Sequence, residues 1–332
     1  MSATATSPGP VAVVGMGLMG TSIAACLLAA GHRVTGVTDD LAASAAVPER
    51  VLALLQEMRS EQLLHDEVDD VIQRFTLTAS LADAADAGIV FESITEDLQL
   101  KRDFLRSAEQ IVSPTCILAS NTSALPVSQL QQDAAHPERI LGIHWDEPAH
   151  VTRFMEIIPG PETSQTALEF VAAMAPRWGK EPSLLRREIR GFITNRISYA
   201  MFREACFLVD SGVCTVEDVD RSLRNDVGWW IPFAGPFRYM DLMGVQGYHR
   251  VMKDLLPELC NAAEIPRLIS DVVASGGRGI ANGRGFYNYT EQEAKEWEQR
   301  FIDFNYRIRR LTAEFAAEPG PPPSPSTTSD PQ

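Results

Sequence analysis

The sequence lacks the cysteine pairing of a secreted scaffold. Its five cysteines (Cys26, Cys116, Cys206, Cys214 and Cys260) are odd in number and form no CxxC pair. Neither a disulfide framework nor a metal site is expected, and thiols scattered among apolar neighbours read as reduced residues of a cytoplasmic protein. Basic charge is also scarce. Lys and Arg number 29 against 44 Asp and Glu, a formal net charge of -15. No Lys/Arg run is dense enough to follow a polyanion, which argues against nucleic acid and anionic membranes as partners. Long apolar runs are missing too: the first is interrupted by glycines, and MSATATSPGP before it has no basic stretch. A signal peptide and a membrane span are therefore not expected. A chain this acidic must hold any anionic ligand by a local feature, because its overall field repels one.

What is present suffices for two domains: 332 residues, 45% of them hydrophobic. Short β-rich runs at 10–14, 34–37, 75–78, 89–91, 116–119, 140–144, 154–158 and 182–185 alternate with helical patterns, among them 21–30, 48–72, 98–111 and 164–178. That alternation predicts an α/β fold, a Rossmann-type doubly wound, mainly parallel sheet. Beyond Arg187 the strand signals stop and helical periodicity takes over at 193–209, 216–223, 239–242, 248–259, 266–274 and 291–315. The expected organisation is a dinucleotide-binding domain over 1–187, an all-helical domain over 188–316, and a disordered Pro/Ser/Thr-rich tail over 317–332.

The segment VAVVGMGLMGTSIAACLLAAGHRV places Gly15, Gly17 and Gly20 as GxGxxG between a strand and a helix. Gly15 allows a tight turn, Gly17 lets a pyrophosphate approach the backbone, and Gly20 lets helix and strand pack closely. Leu18 and Met19 lie in the same glycine motif as cofactor-binding candidates, ahead of a helix N-terminus whose free N–H groups and partial positive charge favour phosphate. This is the local feature an acidic protein needs to bind NAD. The next strand ends at Thr38, followed by Asp39 and Asp40, with no Arg or Lys just beyond to hold a 2′-phosphate. NAD is therefore favoured over NADP, with Thr38 and Asp39 near the ribose.

Further blocks follow in order: FESITEDLQLK, ASNTSALPVSQL, HPERILGIHWDEPAHVTRFMEII, GFITNR, GPFRYMDLMG and GRGFYNY. Together they resemble the L-3-hydroxyacyl-CoA dehydrogenase family over about residues 10–290. The resemblance implies a Rossmann-type domain, a helical domain that forms a homodimer, and NAD-linked interconversion of 3-hydroxyacyl and 3-ketoacyl thioesters. It places the catalytic His at His144 and its paired acid at Glu156. It places Ser123 and Asn195 against the substrate, with Trp145 beside them. It sets Glu96, Lys101 and Asn121 near the nicotinamide end of the cofactor. Lys101 has a second reading, as a surface partner of Asp97 four residues before it.

The chemistry fits these residue types. Oxidising a secondary alcohol releases a hydroxyl proton, which a neutral imidazole accepts and returns in the reverse direction. A carboxylate on the other ring nitrogen fixes the tautomer. Ser and Asn are neutral donors for the developing alkoxide. Three features depart from the family pattern. Asp146 and Glu147 follow His144 where the family more often has an aromatic and Asn. The loop Gly228–Ala234 is longer and more aromatic, so Trp229 and Trp230 are either a substrate wall or packing residues. No clear basic cluster for CoA phosphates stands out. The chemistry therefore has a variant, a ketoreductase of secondary metabolism acting on a bulky or aromatic β-keto substrate. A non-catalytic dinucleotide-binding protein is a further alternative, against which His144, Glu156, Ser123 and Asn195 stand together.

Overall fold

The computed structural model describes residues 9–315. The stretch 317–332, expected to be a disordered tail, lies outside the described residues. By backbone contacts the chain divides into two compact units, one running to Ala200 and the other starting at Met201.

The first unit is built on an eight-stranded sheet ordered β3-β2-β1-β4-β5-β6-β7-β8. The strands are β1 (Val11–Val14), β2 (Val34–Val37), β3 (Phe75–Thr78), β4 (Ile89–Glu92), β5 (Ile117–Ser120), β6 (Ile140–Trp145), β7 (Phe154–Pro159) and β8 (Glu181–Leu184). β1 to β6 are parallel. β7 turns back antiparallel to β6, and β8 runs parallel to β7. The order 3-2-1-4-5-6 is that of the doubly wound dinucleotide fold. Helices cover both faces, so β1, β4 and β5 are buried throughout and their sequences read as short apolar runs rather than alternating ones.

The helices of this unit are α1 (Leu18–Ala29), α2 (Val47–Ser60), α3 (Val68–Ile72), α4 (Leu98–Glu109), α5 (Val127–Gln131) and α6 (Gln165–Met174), with α7 (Thr194–Asp210) beginning in it. α2 buries Val47, Val51, Leu55 and Met58, a stripe at helical spacing. Two bounds differ from the sequence reading. α1 starts at Leu18, directly after the glycine turn, not at Thr21. The stretch 48–72 is two helices, because the chain turns at Gln62 with a φ of 61°.

The second unit is helical: α8 (Val216–Asn225), α9 (Val227–Met243), α10 (Val245–Leu255), α11 (Arg267–Ala274) and α12 (Glu291–Glu314). Thr215 and Thr290 start α8 and α12 with capping boxes closed by Asp218 and Glu293. Gly228–Ala234, read as a loop, is helical. It forms the start of α9, which bends at Gly235 (φ 67°). Trp230 stacks on Tyr239 across that bend, ring centroids 4.2 Å apart. No helix among the described residues is long and apolar enough to cross a membrane.

Candidate active site

The glycine turn is shaped by contacts that no side chain would permit. A Cβ at Gly15 would stand 2.5 Å from the Ser93 carbonyl oxygen, and one at Gly20 would stand 1.9 Å from that of Gly15. Gly15 also has a φ of 90°, which glycine adopts without strain. Gly17 differs, because a Cβ there meets no protein atom within 4 Å. It is the residue preceding α1, and no side chain caps the helix. The first-turn amides around Leu18 and Met19 therefore face open space beside Gly17, a cradle that fits a pyrophosphate. At the end of β2, Thr38 is buried with its hydroxyl 2.7 Å from the Ser44 hydroxyl, while Asp39 is exposed.

At the ends of β4 and β5 lies a polar cluster the sequence reading did not foresee. Glu92 is fully buried. One of its oxygens accepts Lys101 Nζ at 2.6 Å and the Ile94 amide at 2.9 Å, and the other accepts the Ser120 hydroxyl at 2.5 Å. Lys101 is fully buried too, with Nζ also 3.3 Å from Glu96. This corrects both readings of Lys101. It has no surface to offer a cofactor, and it does not pair with Asp97, whose carboxylate instead caps α4 through the Leu100 amide. Glu96 accepts the Thr122 hydroxyl at 2.5 Å and the amides of Ser123 and Ala124 at 3.0 and 3.3 Å, so it holds the SNTS turn in place. Burial pushes the Glu96 carboxyl up, but the Thr122 bond, the Lys101 charge and the Ser123 amide outweigh it and hold it below its ordinary range. Asn121 ties three strand ends together, donating to Ser93 Oγ at 3.3 Å and accepting the Trp145 amide at 2.9 Å.

His144 and Glu156 face each other directly across the β6–β7 ladder. Antiparallel register explains their twelve-residue spacing, and side chains at opposed positions share one face. His144 Nδ1 lies 3.1 Å from Glu156 Oε2. Glu156 Oε1 accepts the amides of Ile193 and Thr194 at 3.0 and 2.9 Å, at the start of α7. Burial pushes the Glu156 carboxyl up. The bonds from His144 and from those amides prevail and hold it below its ordinary range. An ionised partner on Nδ1 requires that nitrogen to carry the proton. Nε2 then accepts, and it has no protein partner among the described residues.

Two rings frame the imidazole: Phe154 edge-on at 5.3 Å and Phe192 at 5.5 Å. Phe192 is buried and has a φ of 52°, in the left-handed region that a residue of its size rarely occupies. Asn195 follows one helical step later, and its Nδ2 donates to the Ser123 carbonyl at 2.9 Å. The first unit thus brings His144, Glu156, Ser123 and Asn195 together. Trp145 is corrected. Neighbours on a strand point to opposite faces, so it leaves the His144 side and is buried against Phe91 and Trp178. Trp229 and Trp230 belong to the second unit, where Trp229 is 79% exposed. No group of three or more His, Cys, Asp or Glu side chains suited to a metal ion occurs among the described residues.

A 3-2-1-4-5-6 sheet with an uncapped glycine turn at its first crossover defines a dinucleotide-binding protein. Comparison with known proteins makes this specific. The NAD-binding domain of 3-hydroxyacyl-CoA dehydrogenase matches residues 10–189, and the C-terminal domain of that family matches residues 191–289. The chain belongs to the 3-hydroxyacyl-CoA dehydrogenase family, and its cofactor is NAD. It is similar to 5-formyl-3-hydroxy-2-methylpyridine 4-carboxylate 5-dehydrogenase of Mesorhizobium japonicum, 29% identical over 304 residues, 91% of this chain and 96% of that protein. It is also similar to a probable 3-hydroxybutyryl-CoA dehydrogenase of Bacillus subtilis, 31% identical over 285 residues, 85% of this chain and 98% of that protein. The crystal structure of a 5-formyl-3-hydroxy-2-methylpyridine 4-carboxylic acid 5-dehydrogenase, described as an NAD+-dependent dismutase, superposes with a TM-score of 0.86. It is 26% identical, and the match covers 92% of this chain and 98% of that one.

Proposed function

We propose that this protein interconverts a 3-hydroxyacyl and a 3-ketoacyl compound, with His144 as the acid/base. The observation that carries the reading is the 3.1 Å contact of His144 Nδ1 with an ionised, doubly amide-bonded Glu156. Gly15, Gly17, Gly20 and the first-turn amides of Leu18 and Met19 would hold NAD, with Asp39 toward the ribose and Glu96 and Asn121 toward the nicotinamide end. Held there, the cofactor would supply the hydride chemistry, acceptance from the carbinol carbon in oxidation and donation to the carbonyl carbon in reduction. His144 Nε2 takes the hydroxyl proton during oxidation and gives it back during reduction. Glu156 holds the neutral ring's proton on Nδ1 and stabilises the imidazolium that forms. Ser123 and Asn195 flank the substrate oxygen and donate to it as negative charge develops.

A second reading keeps this mechanism and replaces the thioester with a bulky or aromatic acid. The pyridine-carboxylate enzyme favours it, because this chain spans 96% of that relative and superposes on its structural counterpart along 92% of its own length. The exposed Trp229, Phe233 and Phe237 of α9 supply apolar surface for such a substrate or for a homodimer contact.

The deciding experiment is NADH oxidation with acetoacetyl-CoA, acetoacetate and benzoylacetate, for the wild type and His144→Asn. Turnover of the thioester alone supports the first reading, and turnover of benzoylacetate alone supports the second. A His144→Asn variant that binds NADH and reduces any of them at the wild-type rate would falsify the assigned role.

A further inference from the structure

The β8–α7 connection carries four arginines within eleven residues: Arg186, Arg187, Arg190 and Arg196, in RREIRGFITNR. All four are exposed. Nearby, just before β7, Arg153 pairs with Glu181 at 2.7 Å. Among the described residues, the side chains of Arg186, Arg187 and Arg190 make no ion pair or hydrogen bond. The one acid in the run, Glu188, is turned away, accepting the Ser128 amide at 2.8 Å at the start of α5. Arg196 folds back over the connection and donates to the Arg190 carbonyl at 3.3 Å.

This connection leads directly into the acid/base pair. Arg190 is two residues before Phe192, so their Cα atoms are within about 7 Å, and the Phe192 ring is 5.5 Å from the imidazole. On the other flank of His144, Asp146 and Glu147 are exposed and unpaired among the described residues. Negative charge follows His144 along the chain, and positive charge precedes Asn195. A substrate with an anionic end is repelled from the first and attracted to the second, which orients it across Nε2. Guanidinium groups suit the task because their planar fork matches carboxylate and phosphate oxygens bidentately.

We propose that Arg186, Arg187 and Arg190 form the anion-recognition site for the charged end of the substrate, the carboxylate of a free acid or the phosphates of a CoA thioester. The proposal builds on the hydride-transfer reading of His144 and names the substrate class that reading leaves open.

The test titrates NADH-loaded enzyme calorimetrically with malonate and with inorganic pyrophosphate, two anions that do not react. It compares the wild type with Arg187→Gln/Arg190→Gln. The expected result is that the wild type binds at least one anion and that the variant binds it about tenfold more weakly, with its melting temperature unchanged. Loss on malonate alone identifies a free acid, and loss on pyrophosphate alone identifies a thioester. The proposal is overturned if the wild type binds neither anion, or if the variant binds as the wild type does. If the wild type reduces neither acetoacetate nor acetoacetyl-CoA while anion binding still responds, the hydride-transfer reading fails and the anion site stands.

Discussion

Replacing Glu156 by Gln tests the acid/base pair at its most sensitive atom. The two carboxylate oxygens have separate duties: Oε1 accepts the amides of Ile193 and Thr194, and Oε2 receives His144 Nδ1. A Gln satisfies the amides only by placing its carbonyl at the Oε1 position. Its NH₂ then faces Nδ1, which must become an acceptor, and the ring proton moves to Nε2. An imidazole in that tautomer cannot take a proton from a substrate hydroxyl. We expect kcat to fall by about 10²–10⁴-fold. NADH affinity should stay unchanged, because β7 is separated from the glycine turn after β1 by β4, β5 and β6. Losing one charge-assisted bond costs about 1.5–3 kcal/mol, so the variant should fold but melt earlier. The pH dependence follows from the carboxyl being held below its ordinary value of 4.5. A depressed folded-state value contributes stability that is complete above 4.5 and is lost as pH falls through the folded value. The gap in melting temperature between wild type and variant should therefore be widest above pH 4.5 and should narrow in acid. Stopped-flow NADH oxidation with the best substrate of the panel, alongside calorimetric NADH binding, measures both arms. A kcat close to wild type would refute the tautomer argument.

The sheet and the glycine turn were legible because both follow from local rules. Apolar runs of four residues alternating with amphipathic helices are what a sheet buried on both faces requires, and the glycine spacing is enforced by the close contacts of Gly15 and Gly20. His144 was legible only through the family blocks, although its partner's spacing has a simple cause in the antiparallel ladder. Trp145 was misplaced because it adjoins His144 in sequence. Strand alternation separates the two, and that rule was readable as soon as 140–144 was taken as a strand. Glu92 and Lys101 were harder. Nothing local distinguishes a buried Lys on an amphipathic helix from a solvated one, and only tertiary packing shows that Lys101 lies against Glu92. The arginine run had no local signature, because it is spread across a turn at Gly191 and scattered basic residues on an acidic chain read as solvated charge.

Two glycine substitutions separate folding from cofactor binding. Gly17→Ala meets no protein atom, so its melting temperature should change little while the NADH dissociation constant rises by about tenfold or more, the added methyl standing where the pyrophosphate approaches; equal affinity would refute that placement. Gly20→Ala, whose Cβ would collide with the Gly15 carbonyl, should lower the melting temperature itself. Lys101→Met strands the Glu92 carboxylate in the interior, for a loss of about 3–5 kcal/mol that Glu92→Met in the same chain should largely restore. If the double variant is no more stable than Lys101→Met, the pair is not coupled as described. His32 supplies a pH-dependent element elsewhere in the first unit. Its Nδ1 lies 2.8 Å from the Gly9 carbonyl and so carries the proton, and its Nε2 accepts the Trp178 indole N–H at 3.0 Å. Both nitrogens are committed with the ring neutral, and a second proton would set Nε2–H against the indole N–H. Burial is the main reason the His32 pKa lies below its ordinary 6.5. The Gly9 bond opposes that shift and Arg177 adds to it. The unfolded chain therefore takes up this proton first as pH falls, so the contribution is complete above 6.5 and is lost below it, through the folded value. His32→Gln keeps a donor for Gly9 and an acceptor for Trp178 without a titrating group. Its melting temperature should fall less steeply than that of the wild type between pH 6.5 and 5, and parallel profiles would show that His32 does not titrate with unfolding.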